Sequence, residues 1–185
     1  MSAPTLIVVD VQEAWNDPAL GERNNKPSAE RNVARLLAAW REAGAPVIHV
    51  RHRDDDPEWP MFNEGNPGFA FMGEAAPLEG EPVLTKFVNS GFIGTDLEER
   101  LRSSGATTVA IAAFTTDQCG STTVRMAGNL GFETWYVEDA CSTYDREGPD
   151  GEVFPADLIH RTTLASLQDE FADVITTDEA IARLG

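Results

Sequence analysis

Thr107-Thr108-Val109-Ala110-Ile111-Ala112-Ala113-Phe114 runs straight into Thr115-Thr116-Asp117-Gln118-Cys119, and this join decides the fold. The first part is a continuous run of β-formers and small apolar residues, as expected of a parallel strand buried on both faces. From Gln118 to Leu130 the pattern turns helical, and Gly131 supplies the stop. Cys119 therefore falls in the first turn of a helix. Orphan backbone N–H groups and the positive end of the helix dipole meet the thiol there and favour its thiolate, the nucleophilic form.

Outward from this join, apolar runs read as strands at Thr5-Asp10, Pro46-Val50, Val83-Thr85, Glu133-Val137 and Ala172-Thr176. Helical patterns lie between most of them: Ser28-Ala43 before Gly44, Asp96-Ser104 before Gly105, and Ala156-Phe171 after Pro155. This alternation predicts an α/β fold, a three-layer α/β/α sandwich around a mostly parallel six-stranded sheet joined by right-handed crossovers. With 185 residues and 20.1 kDa, the chain reads as a single domain over residues 1–185, able to bury its core without disulfides or metals.

Fourteen basic residues against 31 acidic ones leave a net charge of −17, which argues against nucleic acid as a partner. No apolar run approaches the roughly 20 residues of a membrane helix, so a soluble protein with no membrane partner is expected. Two cysteines in an ordinary composition and no targeting pattern point to a reduced, cytoplasmic setting.

Two stretches break the rhythm. Arg51-Gly80 holds four prolines, four glycines, Asp54-Asp55-Asp56 and the aromatics Trp59, Phe62, Phe69 and Phe71. It reads as a long loop that either lines a pocket or packs under itself. Thr143-Pro155 reads as an exposed turn near the same end of the sheet.

Ligands of open α/β sheets bind beyond the carboxyl ends of the strands, near the point where strand order reverses. Asp10 closes Leu6-Ile7-Val8-Val9, Lys86 follows Val83-Leu84-Thr85, and Cys119 follows the third run, so all three converge on that edge. Each alone has a plain structural explanation: a turn cap, a solvated lysine, a small buried thiol.

Read together, they resemble the isochorismatase-like cysteine hydrolases, a superfamily that includes nicotinamidases and other amidohydrolases. The resemblance is carried by Val8-Val9-Asp10-Val11-Gln12, Lys86-Phe87 with Ser90-Gly91-Phe92 and Thr95-Asp96-Leu97, Thr115-Thr116-Asp117-Gln118-Cys119, and Asp139-Ala140. It implies a catalytic triad of Asp10, Lys86 and Cys119. It also implies a non-proline cis peptide between Phe114 and Thr115, and an oxyanion site made by the N–H groups of Thr115 and Cys119. The expected reaction is cleavage of the C–N bond of a small amide through a thioester on Cys119, without a cofactor, in a homo-oligomer such as a dimer or tetramer. Cleavage of a vinyl ether, or a non-catalytic scaffold role on the same fold, are the alternatives.

Nicotinamidases also carry an Asp and several His around a metal, whereas this chain has only His49, His52 and His160. His49 and His52 lie three apart and would face opposite sides of an extended strand, so no catalytic metal is expected. Trp15, Phe62 and Phe87 are candidate pocket walls. Gly120, after the nucleophile, either eases packing or enlarges the pocket floor. Cys141 reads as a structural thiol, His160 as a side chain bonded to backbone between layers, and Arg51 and Arg53 as either surface partners of the acidic run or contacts for an anionic substrate.

Overall fold

The computed structural model describes residues 3–185. Along the chain run β1 (Thr5–Val9), α1 (Ser28–Glu42), β2 (Val47–His52), β3 (Val83–Lys86), α2 (Leu97–Ser103), β4 (Thr108–Ala113), α3 (Ser121–Asn129), β5 (Glu133–Val137), β6 (Arg146–Glu147), β7 (Val153–Phe154), α4 (Ala156–Leu167), β8 (Asp173–Ile175) and α5 (Thr177–Leu184). Six strands form one sheet in the order β3-β2-β1-β4-β5-β8, and every neighbouring pair is parallel.

Both faces of the sheet are covered, which is why its strands read as continuous apolar runs rather than alternating ones. Leu6, Val8, Ala110, Ala112 and Val137 pack with Val33, Leu36, Leu37 and Trp40 of α1 and Ala180 of α5. Ile7, Val9, Val50, Leu84 and Ile111 face the other way, against Leu97 and Leu101 of α2, Val124 and Ala127 of α3, and Leu164 and Leu167 of α4. Trp40 is fully buried, and its indole N–H donates to the Pro4 carbonyl at 2.8 Å. Among the described residues no helix is long and apolar enough to cross a membrane.

Several elements differ from the expectation. The helix read from Gln118 begins instead with one wide π turn, Thr116–Gly120, before α3. The helix read to Phe171 stops at Leu167, because Asp169 adopts a left-handed φ of 65° and folds the chain back. The segment Thr143-Pro155 contains a small antiparallel hairpin, β6 with β7, rather than a simple turn. The unread helix α5 starts at a capping box, with the Thr176 side chain bonded to the Glu179 N–H and the Glu179 carboxylate bonded to the Thr176 N–H. Arg51-Gly80 folds into three short 3₁₀ turns, Pro60–Phe62, Pro67–Phe69 and Gly73–Ala75, that bury Phe62, Phe69 and Ala75.

At the amino end of the sheet, Glu81 joins Arg41 of α1 at 2.8 Å and the buried His49 of β2 at 2.9 Å. The Arg41 hydrogen bonds are the main cause that holds the Glu81 carboxyl down at about 2 instead of 4.5, helped by the Leu78 N–H and His49. A depressed carboxyl adds stability that is complete above its unfolded pKa and lost as pH falls through the folded one. Denaturant titrations should therefore show stability falling as pH drops from 4.5 towards about 2, with a shallower fall in Glu81→Gln. Equal slopes in both proteins would contradict this assignment.

Candidate active site

Strand order reverses between β1 and β4, the position where open α/β sheets form a crevice. Asp10 follows β1 with a φ of 56°, a left-handed conformation that aspartate tolerates better than most residues. The Trp15 indole N–H donates to its carbonyl at 2.6 Å. After β4, the peptide bond between Phe114 and Thr115 is cis. Lys86 ends β3, two strands away from β1, and its length lets it reach past β2.

The three side chains meet. Lys86 Nζ lies 2.6 Å from Asp10 Oδ2 and donates to Cys119 Sγ at 3.3 Å. Asp10 and Lys86 are wholly buried and Cys119 is 7% exposed. The Asp10 contact is an ion pair and not a well-angled hydrogen bond. Among the described residues neither carboxylate oxygen has a hydrogen-bond partner, leaving acceptor capacity free within the cluster.

Burial opposes the pull of the helix start on the Cys119 thiol. Burial, reinforced by the Asp10 charge, pushes the thiol up to about 12, and Lys86 only partly opposes it. The turn is deep, and desolvation disfavours the charged form of the thiol. Burial pulls the Lys86 ammonium down, but Asp10 and Cys119 together hold it above the ordinary lysine value. Burial thus favours the neutral thiol beside a paired cation.

The nucleophile turn is pinned from two sides. Its wide hydrogen bond runs from the Gly120 N–H to the Thr115 carbonyl at 2.9 Å. Beneath it the buried Tyr136 hydroxyl donates to the Thr116 carbonyl at 3.0 Å, and the Thr116 hydroxyl bonds His160 Nδ1 at 2.8 Å. His160 thus bonds a side chain, not backbone. From the hairpin, Arg146 pairs with Asp117 at 2.8 Å and reaches Thr115 Oγ1 at 3.3 Å, while the Thr143 hydroxyl donates to Asp117 at 2.5 Å. Burial raises the Asp117 carboxyl, but Arg146 and Thr143 bring it below the ordinary range.

Trp15 and Phe62 are brought together, with ring centroids 4.9 Å apart, and Phe62 also meets the His52 ring at 5.3 Å. Phe87 is not brought in. It is 59% exposed, with the Arg53 guanidinium 5.7 Å from its centroid. Arg53 is engaged by Asp55 and Glu64, and Arg51 donates to Thr85 and lies over Phe69. Cys141 is fully buried, donating to the Val137 carbonyl and accepting from the Ala113 N–H. Among the described residues no cluster of three His, Cys, Asp or Glu is placed to hold a metal.

Gln12, Tyr144 and Arg146 join the site with no role expected for them from the sequence, although Gln12 closes the motif that begins at Val8. Gln12 is buried and ties His52 and Phe69 to the end of β1 through three hydrogen bonds. The Tyr144 hydroxyl donates to the Trp15 carbonyl at 2.5 Å. Gln12, two residues beyond Asp10 on the same turn, carried a usable signal; the other two join the site only through the hairpin's fold.

A model of the isochorismatase domain matches residues 4–179, and the chain belongs to this family of hydrolases. It is 46% identical over 176 residues to the uncharacterised isochorismatase family protein YrdC of Bacillus subtilis, covering 95% of this chain and 93% of that one. Maleamate amidohydrolase of Pseudomonas putida is 28% identical over 197 residues, covering 98% and 86%. The crystal structure of an isochorismatase-family protein from Chromobacterium violaceum superposes with a TM-score of 0.95 at 42% identity, over 99% of this chain and 94% of that one.

Gly120 settles as a packing residue. A Cβ built there would lie 2.1 Å from the Tyr136 hydroxyl oxygen and 2.9 Å from the Thr115 carbonyl oxygen. Gly120→Ala should therefore cost about 1–3 kcal/mol in denaturant unfolding. The Tyr136→Phe change should recover part of that loss in the double variant, and full additivity of the two changes would disprove this contact.

Proposed function

We propose that the protein is a cysteine amidohydrolase that cleaves the C–N bond of a small amide through a thioester on Cys119. The observation that carries this reading is the meeting of Lys86 Nζ with Asp10 Oδ2 and Cys119 Sγ, 2.6 and 3.3 Å away, with the ion pair wholly buried and the thiol at its exposed edge. The amide-cleaving name of the Pseudomonas putida relative supports the choice of bond.

A neutral thiol is a poor nucleophile, so its proton must leave as the sulfur attacks. Asp10 takes that proton while Cys119 Sγ bonds to the carbonyl carbon. Lys86 stays protonated and stabilises first the Asp10 carboxylate and then the developing negative charge on sulfur. The carbonyl oxygen, now an oxyanion, is received by the N–H groups of Thr115 and Cys119, a role typically worth about 2.7–4 kcal/mol per donor. The C–N bond then breaks, Asp10 passes its proton to the leaving nitrogen, and a thioester remains. Water repeats the sequence: Asp10 takes its proton, its oxygen bonds to the carbonyl carbon, and Sγ leaves and recovers the proton as the acid is released. Protons balance over the cycle, so the buried carboxylate needs no exchange with solvent.

Trp15 and Phe62 form an apolar flank beside Asp10 that keeps the reacting pair dry. A binding or scaffold protein would have no use for a buried carboxylate, ammonium and thiol, which are costly to desolvate.

Incubation with a panel of small primary amides should release ammonia and leave a transient acyl mass on Cys119. Cys119→Ala should lower turnover by about 10³-fold or more. Full turnover in that variant would overturn the mechanism.

A further inference from the structure

Lys86 has three N–H bonds to direct: Cys119 accepts one, and the Asp10 carboxylate, 2.6 Å from Nζ, draws a second as its ion-pair partner, though at a poor hydrogen-bond angle. His52 lies at the third. Nζ is 3.4 Å from His52 Nδ1, and His52 is the residue opposite Lys86 in the β2-β3 pairing. An ammonium only donates, so Nδ1 accepts and the ring proton sits on Nε2, towards Asp54 Oδ2 at 3.8 Å. The ring is held edge-on to Phe62. Its backbone is clamped by one side chain: the His52 N–H donates to Gln12 Oε1 at 2.7 Å, and Gln12 Nε2 donates to the His52 carbonyl at 3.1 Å. The His52 side chain is 17% exposed, so it stands between water and a carboxylate–ammonium pair that has no solvent contact.

We propose that His52 is a positioning residue for the reaction at Cys119: its neutral imidazole accepts the third N–H of Lys86 and so aims the other two at Asp10 and Cys119. The proposal takes its chemical purpose from the amidohydrolase reading, but the arrangement serves any reaction that needs Cys119 activated. Protonation of the ring would remove the acceptor and set an imidazolium 3.4 Å from an ammonium. The charged groups that face His52 are Lys86 from β3, Asp10 from the turn after β1, and Asp54 from its own loop. Burial first and Lys86 second hold the imidazole below its ordinary value, against the smaller opposing pull of Asp10 and Asp54. Near neutral pH the ring is the acceptor this arrangement needs.

Iodoacetamide tests this without a known substrate. Alkylation of Cys119 is followed by peptide mass spectrometry across a pH series, with the fully buried Cys141 as an internal check on folding. His52→Asn keeps an acceptor oxygen at the Nδ1 position and does not titrate; His52→Leu keeps bulk without an acceptor. His52→Leu should slow Cys119 alkylation about tenfold or more, consistent with loss of a hydrogen bond to a charged group. His52→Asn should stay within about threefold of the parent rate and lose the acid limb that protonation of His52 gives the parent. A His52→Leu rate equal to the parent, or an unchanged acid limb in His52→Asn, would overturn the proposal. If the leucine variant does not fold, the asparagine profile decides alone. Amides are assayed in parallel: altered alkylation without amide turnover sustains the role of His52 while removing the amidohydrolase reading.

Discussion

Everything in this site depends on one buried ion pair, Lys86 with Asp10. Removing two such charges from water costs several kcal/mol per ion, and only close mutual approach with further polar partners offsets it. That requirement couples elements far apart in the chain. The ends of β1 and β3 must lie on either side of a single strand, β2, and that strand must present something a cation tolerates. It presents His52, held in place by Gln12 from the turn after β1. The loop after β2 then closes over the pair through Phe62, which meets both Trp15 and His52.

The same burial decides how the thiol behaves. A shallow cysteine at a helix start would ionise readily; this one sits where desolvation pushes the thiol up, with Lys86 alongside. Proton removal must therefore accompany attack, and a carboxylate with free acceptor capacity in the same cluster is suited to receive the proton. The wide turn at Thr116–Gly120 carries the thiol into this environment, and Gly120 leaves room for the Tyr136 hydroxyl that supports the turn from below.

Much of the fold was legible in the sequence. The strands were visible as unbroken apolar runs because both faces of the sheet are covered, and Gly131 ends α3 with the left-handed φ of 85° that glycine accommodates. The end of α4 was not legible, since apolar residues continue the helical period past Asp169. Helix α5 was missed although Thr176 and Glu179 spell its capping box, because its eight residues follow a strand run read through Thr176. In the site, the strand-end rule placed Asp10, Lys86 and Cys119 at one edge, where they touch. It could not give the charge state of the thiol, because depth of burial is a property of the packed molecule. Nor could it pair His52 with Lys86, which requires the register of β2 on β3.

The ultraviolet absorbance of thiolate, taken as the difference between the parent protein and Cys119→Ala across pH, tests the central claim most directly. A thiol governed by burial beside the Lys86–Asp10 pair should show no thiolate step through the range where an ordinary cysteine, with a pKa of about 8.5, ionises. A step at or below that range would contradict the account, because it would mean that Lys86 and the turn, rather than burial, set the state of Cys119.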